Sequence, residues 1–129
     1  PDVRVYHFGD SALFGDMALI GRLLRPRVGI IGCTQPWPLV PMFSPGPGRI
    51  LTGGMSPDQA ALAAELLGVE FAIATHYVDH DNEDVLQFLS FIPEHDPTGR
   101  RIGLALRPGE VLVLDGESHR VQVGLDEGV

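Results

Sequence analysis

The sequence predicts an α/β domain whose elements run βαβαβα and close in a β-rich tail. Three observations predict it. Short apolar runs near residues 3–8, 28–32 and 69–75 carry β-branched side chains without helical spacing. Segments with apolar residues at helical spacing follow each of them. The last thirty residues hold three short strand-like runs parted by Pro108-Gly109 and Asp115-Gly116. Such alternation argues for a sheet with helices packed on it. At 129 residues and 44% hydrophobic, one domain able to bury a core is expected.

Each element has its own signals. Val3 and Val5 flank larger residues in a first strand, which Gly9-Asp10-Ser11 ends. Phe14, Met17, Leu19, Ile20, Leu23 and Leu24 then trace one face of a helix over residues 14–24. Asp16 suits its positive end, Arg22 and Arg25 suit its negative end, and Pro26 stops it. Val28-Gly29-Ile30-Ile31-Gly32 reads as an interior strand buried on both faces. Residues 33–48 carry five prolines among Trp37, Leu39, Val40, Met42 and Phe43, an apolar loop without regular structure.

Ser56-Pro57-Asp58-Gln59 is a capping box with proline at the first helical position, and Gly68 ends that helix. A third strand covers residues 69–75. Asp81-Asn82-Glu83-Asp84 puts cap chemistry and acids ahead of a third amphipathic helix, which Pro93 ends. Strands at residues 102–106, 111–114 and 119–123 complete the tail, joined by the two glycine turns.

Charge and composition exclude some function classes. A net charge of -8 offers no attraction to phosphate backbones or anionic lipid, so no nucleic-acid partner is expected. No apolar run reaches the roughly 20 residues of a membrane span, and no basic-then-apolar leader is expected. The single cysteine, Cys33, cannot form an internal disulfide, and a cytoplasmic address fits that usage. Neither G-x-G-x-x-G nor G-x-x-x-x-G-K-[ST] occurs, which argues against a nucleotide-binding domain. The sequence opens at Pro1 without methionine and enters a strand at once, so a piece of a longer protein is expected.

Two strand ends carry candidate chemistry. Asp10 follows the first strand and His76 the third. In open α/β sheets ligands bind at the carboxyl ends of strands, and parallel strands would bring these two residues together. A carboxylate and an imidazole in one cleft suit a divalent metal. The plainer readings are an aspartate in a turn and a capped or packed histidine.

The surrounding segments carry a resemblance. Tyr6-His7-Phe8-Gly9-Asp10-Ser11-Ala12-Leu13-Phe14-Gly15-Asp16-Met17 resembles the Y-H-x-G-D-T-x-L-F-G-D-M segment of the metallo-β-lactamase superfamily, in its ascorbate-6-phosphate lactonase-like branch. Met55 to Gly68 resembles the helix that follows there, Thr75-His76-Tyr77 its M-H-Y, and Leu106 to Leu114 its last hairpin. The likeness spans nearly the whole chain apart from residues 33–51.

The resemblance implies a metal-dependent hydrolase with two divalent ions, zinc foremost, with manganese or iron as alternatives. Asp10 matches the aspartate that bridges the ions, and His76 matches the last histidine ligand. Such ions acidify a bound water and polarise a carbonyl or phosphoryl oxygen. A lactone, ester, amide or phosphoester of a small polar molecule is the implied substrate. Ser11 stands where the family has threonine and Thr75 where it has methionine; neither exchange removes a ligand.

The family's first half carries H-x-H-x-D-H and a further histidine ligand, and no such motif occurs in these 129 residues. Residues 1–129 are therefore expected to be a single half-domain, the C-terminal half of an αββα sandwich. One sheet face would be left uncovered. The expected partner is the N-terminal half, as a separate chain, a cleaved segment or a symmetry-related copy, in an oligomer. The competing reading is a noncatalytic binding or assembly module of degenerate fold.

The remaining candidates weigh less. His7, Ser11, Trp37 and Tyr77 would line or support the pocket, with His7 facing away from Phe8. Trp37 stands for an apolar loop that can be pocket wall, subunit contact or lid. Cys33 reads as a small apolar filler. His80 reads as a polar loop residue, and His95 and His119 show no partners in the sequence.

Overall fold

The structure is a computed structural model that describes residues 3–9, 11–34, 55–77, 79 and 81–124. Its elements are β1 (Val5–His7), α1 (Asp16–Leu24), β2 (Val28–Gly32), α2 (Pro57–Leu67), β3 (Phe71–Thr75), α3 (Glu83–Phe91), a 3-10 turn (Pro93–His95), β4 (Ile102–Leu104), β5 (Glu110–Asp115) and β6 (Ser118–Val123). Strands β1-β2-β3-β4 form one sheet in that order, every pairing parallel. Chain order equals sheet order. Right-handed crossovers taken repeatedly in one direction put their helices on one face.

The helix starts and stops follow the local chemistry. Ser56 Oγ accepts the Gln59 N–H, Gln59 Oε1 accepts the Ser56 N–H, and Pro57 opens α2. Gly68 ends that helix at φ 69°, a left-handed turn that glycine adopts without penalty. Asn82 Oδ1 caps α3 by accepting the Val85 N–H at 2.9 Å. Helix α1 starts at Asp16, two residues after the expected start. It has no side-chain cap, and Asp16 supplies the acid of its first turn.

Small residues on the helix-bearing face let the layers close. Gly29, Ala72 and Gly103 stand level across β2, β3 and β4. A Cβ on Gly103 would lie 3.0 Å from Ile92 Cγ1 and 3.1 Å from Leu89 Cδ2 of the α3 segment. The core gathers here, around Met17, Ile31, Met55, Leu67, Val85 and Phe88. Pleating turns the next residues to the opposite face: Val5, Val28, Phe71 and Ile102, then His7, Ile30, Ile73 and Leu104. Val28 and Phe71 are buried, but Ile30, Ile73, Ile102 and Leu104 are only half-buried and Val5 is 56% exposed.

The tail departs from the expected hairpins in one respect. Strands β5 and β6 do pair antiparallel around Asp115↔Ser118. The run at 102–106, however, pairs parallel with β3, and its strand stops at Leu104. Pro108-Gly109 is therefore a turn leaving the main sheet rather than a hairpin between β4 and β5. The sequence showed a turn, but not which strand would take up the free edge of β3.

Two histidines without partners in the sequence have them in the fold. The His119 ring stands edge-on to Phe71, centroids 5.0 Å apart, so β6 touches the sheet face away from the helices. His95 sits between two carboxylates of α2: Nε2 is 2.8 Å from Asp58 Oδ1 and Nδ1 is 3.3 Å from Glu65 Oε2. Seven residues apart, these acids share one face of the helix. The hydrogen bond to Asp58 raises the imidazole's pKa above its usual value; partial burial opposes this, and Glu65 adds to the rise. Only the doubly protonated ring donates to both acids.

A pH dependence follows, with its sign fixed by the raised value. The contribution is fully present below about pH 6.5, the unfolded value. It is lost as pH rises through the higher folded value. Thermal melts at pH 6 and pH 8.5 should show the wild-type chain losing more stability on alkalisation than His95→Ala. Equal losses in the two proteins would remove His95 from the account.

Candidate functional site

Parallel pairing puts the carboxyl ends of β1, β2 and β3 along one edge. Phe8 continues from β1, and its backbone N–H donates to the Ile30 carbonyl at 3.0 Å. Its ring packs into the notch left by Gly32, where a Cβ would stand 2.1 Å from Phe8 Cζ. The same ring meets His76, just past β3, with centroids 4.9 Å apart and planes at 66°. The segments after β1 and β3 thus meet over β2. Gly32→Ala is expected to cost about 1–3 kcal/mol by overpacking. It should also move Phe8 against His76, visible as altered His76 ring shifts in NMR; an unchanged melting point and unchanged shifts would contradict this packing.

His76 itself is exposed and has φ 62°, a left-handed conformation outside glycine. Thr34 Oγ1 donates to the His76 carbonyl and pins that backbone to the residue after Cys33. Unusual backbone held by its surroundings is a frequent feature of functional sites. Tyr77 turns the other way: its hydroxyl donates to the Leu106 carbonyl at 2.6 Å. Burial, then nearby Cys33 and Glu110, raises the Tyr77 phenol's pKa and keeps it a donor.

These residues open a cleft of about 460 Å³, lined by Thr75, His76, Tyr77, Asp79 and the turn from Leu106 to Glu110. That volume lies in the range of small-molecule sites. A larger cleft, about 840 Å³, lies where Arg27, Val69 and Arg101 precede their strands, at the opposite edge. The strand-end rule favours the smaller one.

The other sequence candidates fall as follows. Ser11 donates through Oγ to the Phe8 carbonyl at 2.7 Å and holds the turn after β1. His7 is exposed on the opposite face from Phe8, and its Nδ1 accepts the Gly9 N–H at 2.9 Å. Asp10, Trp37 and His80 lie outside the described residues. Cys33 is fully buried, and burial, with the charge of Asp84 adding, pushes its thiol up to about 12 despite a backbone hydrogen bond. It is a filler, not a nucleophile. Sequence reading missed Asp79, Arg107 and Glu110 on the cleft rim. Only the Pro108-Gly109 turn beside them could have drawn attention there.

Among the described residues, no group of three or more His, Cys, Asp or Glu side chains could hold a metal ion. His76 offers one imidazole, and a complete metal site needs donors besides those described. Zinc-type and related sites take three or four such donors.

The fold and cleft define a class: an α/β chain that presents an imidazole at the ligand edge of a parallel sheet. The comparisons make this more particular. The chain is 36% identical over 115 residues to a UPF0173 metal-dependent hydrolase of Rubrobacter xylanophilus, covering 84% of this chain and 38% of that protein. It is 33% identical over 112 residues to one of Geobacillus thermodenitrificans, covering 85% and 40%. In fold it is similar to Igni18, a metallo hydrolase from Ignicoccus hospitalis, with TM-score 0.56 at 23% identity, covering 92% of this chain and 40% of that one. No protein-family model matches. These likenesses support a metallo-β-lactamase-like family, and the chain spans about two fifths of the length of the relatives it matches. Partial coverage of this extent is consistent with one half of the αββα sandwich.

Proposed function

We propose that the chain is the C-terminal half of a metal-dependent hydrolase that cleaves a lactone, ester, amide or phosphoester bond of a small polar substrate. The observation that carries this reading is the meeting of Phe8 and His76 at the carboxyl edge, which sets the end of β1 beside His76. Asp10 and His76 would each hold metal, and the remaining ligands would come from an N-terminal half. When bound, two divalent ions, zinc foremost, supply Lewis acidity and acidify water. The chain's own part is to fix the imidazole through Phe8 and the pinned His76 carbonyl, and to shape the cleft with Tyr77.

The apolar sheet face away from the helices supports the missing half. Parallel sheets are ordinarily covered on both faces. Here Ile30, Ile73, Ile102 and Leu104 form a half-buried apolar patch on the face that β6 touches at Phe71. The same patch favours a second reading, a noncatalytic assembly module that docks through this face. Among the described residues no helix is long and apolar enough to cross a membrane. A cytoplasmic address, which a lone buried Cys33 suits, belongs to the proposal.

Native mass spectrometry separates the two readings. A second polypeptide with two bound metal ions supports the hydrolase. A metal-free chain, alone or as a simple homo-oligomer, sinks it and leaves the assembly module.

A further inference from the structure

The larger cleft, about 840 Å³, is lined by three of the chain's nine arginines, Arg27, Arg100 and Arg101, against two glutamates, Glu70 and Glu117. A local excess of positive charge stands out on a chain of net charge -8. Two of these guanidiniums are fixed in place, from either side of one short segment. Arg101 Nε donates to the Val69 carbonyl at 2.6 Å, and its Nη1 donates to the His95 carbonyl at 3.1 Å. Arg27 Nε donates to Glu70 Oε2 at 2.9 Å, and its guanidinium lies 5.6 Å from the centroid of the Phe71 ring. Val69 and Glu70 are chain neighbours, so both cations are anchored to the same stretch of the cleft wall. A guanidinium carries five N–H donors. The Arg101 Nη2 pair makes no hydrogen bond among the described residues, although the side chain is only 7% exposed. Among those residues no fully buried side-chain nitrogen or oxygen lacks a partner. Nη2 is therefore accessible, and the cleft that Arg101 lines is where it opens.

The geometry points to a binding site for a small carboxylate in this cleft, with Arg101 Nη2 and the two Nη groups of Arg27 as its donors. Tying Val69 and His95 together uses two of the Arg101 donors and leaves the Nη2 pair to a ligand. Arg27 keeps both Nη nitrogens without hydrogen bonds among the described residues, because Glu70 takes only its Nε. Guanidinium donors pair with carboxylates more strongly than neutral donors do, and most strongly where the side chain is sheltered from water. The charge selects a monoanion. Three arginines against two glutamates leave one positive charge in excess, which a carboxylate balances and a phosphate dianion exceeds. The volume suits a small molecule. This site does not rest on the hydrolase reading, because the cleft lies at the edge opposite His76 and its walls come from this chain.

The test is an NMR titration of the full chain at pH 7, followed at the Nε–H signals of Arg27 and Arg101, both of which are held in hydrogen bonds. Acetate and inorganic phosphate are added separately, with sodium chloride at matched ionic strength as the reference. Acetate is expected to shift both signals saturably, and phosphate to bind more weakly. Arg27→Gln should weaken acetate binding about tenfold or more, read at the Arg101 signal, since hydrogen bonds to charged groups carry that much. Arg101 itself is left unchanged, because it is paired with the buried Asp96 and its removal would unsettle the fold. Signals that stay still, shifts that remain linear or that chloride reproduces, or an affinity that Arg27→Gln leaves unaltered overturn the site. Saturation by phosphate and not by acetate overturns its assignment to a carboxylate.

Discussion

Asp96→Ala is expected to remove about 3–5 kcal/mol of stability, the cost of breaking a buried charge pair from one side. The Asp96 carboxylate is 2% exposed and sits just after the 3-10 turn. One oxygen accepts the Thr98 N–H at 3.0 Å and the Thr98 hydroxyl at 2.6 Å; the other accepts the Arg101 N–H at 2.7 Å. Arg101, itself 7% exposed, holds a guanidinium nitrogen 3.7 Å away and donates to the Val69 and His95 carbonyls. Three donors and a buried cation therefore lose one acceptor together. Asp96→Asn is the sharper variant. It keeps the volume, but turns an N–H₂ toward either the Arg101 N–H or the Thr98 donors. For a domain of this size the loss corresponds to a melting point lower by roughly 10 °C or more. A drop of under 1 kcal/mol in urea unfolding of both variants would show that the cluster relaxes onto water.

The same carboxylate sets an acid limit. Burial by itself would raise its pKa, but the Thr98 and Arg101 hydrogen bonds and the Arg101 charge outweigh that and hold it at about 2. A depressed carboxyl stabilises the fold above its unfolded value near 4 and loses that contribution as pH falls toward 2. The difference is about 2 kcal/mol. Unfolding measured at pH 6 and pH 2 should show this loss in the wild-type chain and not in Asp96→Ala.

Features written in local chemistry were legible before the fold was seen. Ser56, Pro57 and Gln59 specify their helix start by contacts four residues long, and Asn82 does the same for α3. A sheet with helices packed on it followed from alternation alone. What stayed hidden depends on long-range placement. His95 meets Asp58 and Glu65 only because α2 and α3 pack side by side, 37 and 30 residues away in sequence. The partner of β4 depends on which edge remains free, which no local signal states. In the site, His76 was legible as the residue after a strand. Arg107 was not, because its nearness to His76 arises from the Tyr77–Leu106 hydrogen bond across 29 residues.

Removing the imidazole at His76 should affect function and stability in opposite directions, and that opposition is what makes the experiment decisive. If, as proposed, an N-terminal half completes the site, His76→Gly in that assembly is expected to lose bound metal. Hydrolysis of a p-nitrophenyl ester or phosphoester should fall by about 100-fold or more, because even residues behind a ligand are worth 10–100-fold in metal affinity. Stability should hold or rise slightly. At φ 62° a side chain pays a conformational cost of about 1–2 kcal/mol that glycine escapes, offset in part by the greater freedom of glycine in the unfolded chain. The imidazole is exposed, so its removal gives up little buried contact, the ring contact with Phe8 included. The hydrogen bond from Thr34 reaches the backbone carbonyl and survives any side chain. His76→Ala should lose metal and activity to the same degree without the stability gain, since alanine keeps the left-handed strain. A residue placed for packing would give the reverse result: metal content and rate unchanged, and a lower melting point in both variants. Left-handed backbone under a solvent-facing imidazole is a cost to the fold, and a matching benefit in metal binding would account for its presence at this strand end.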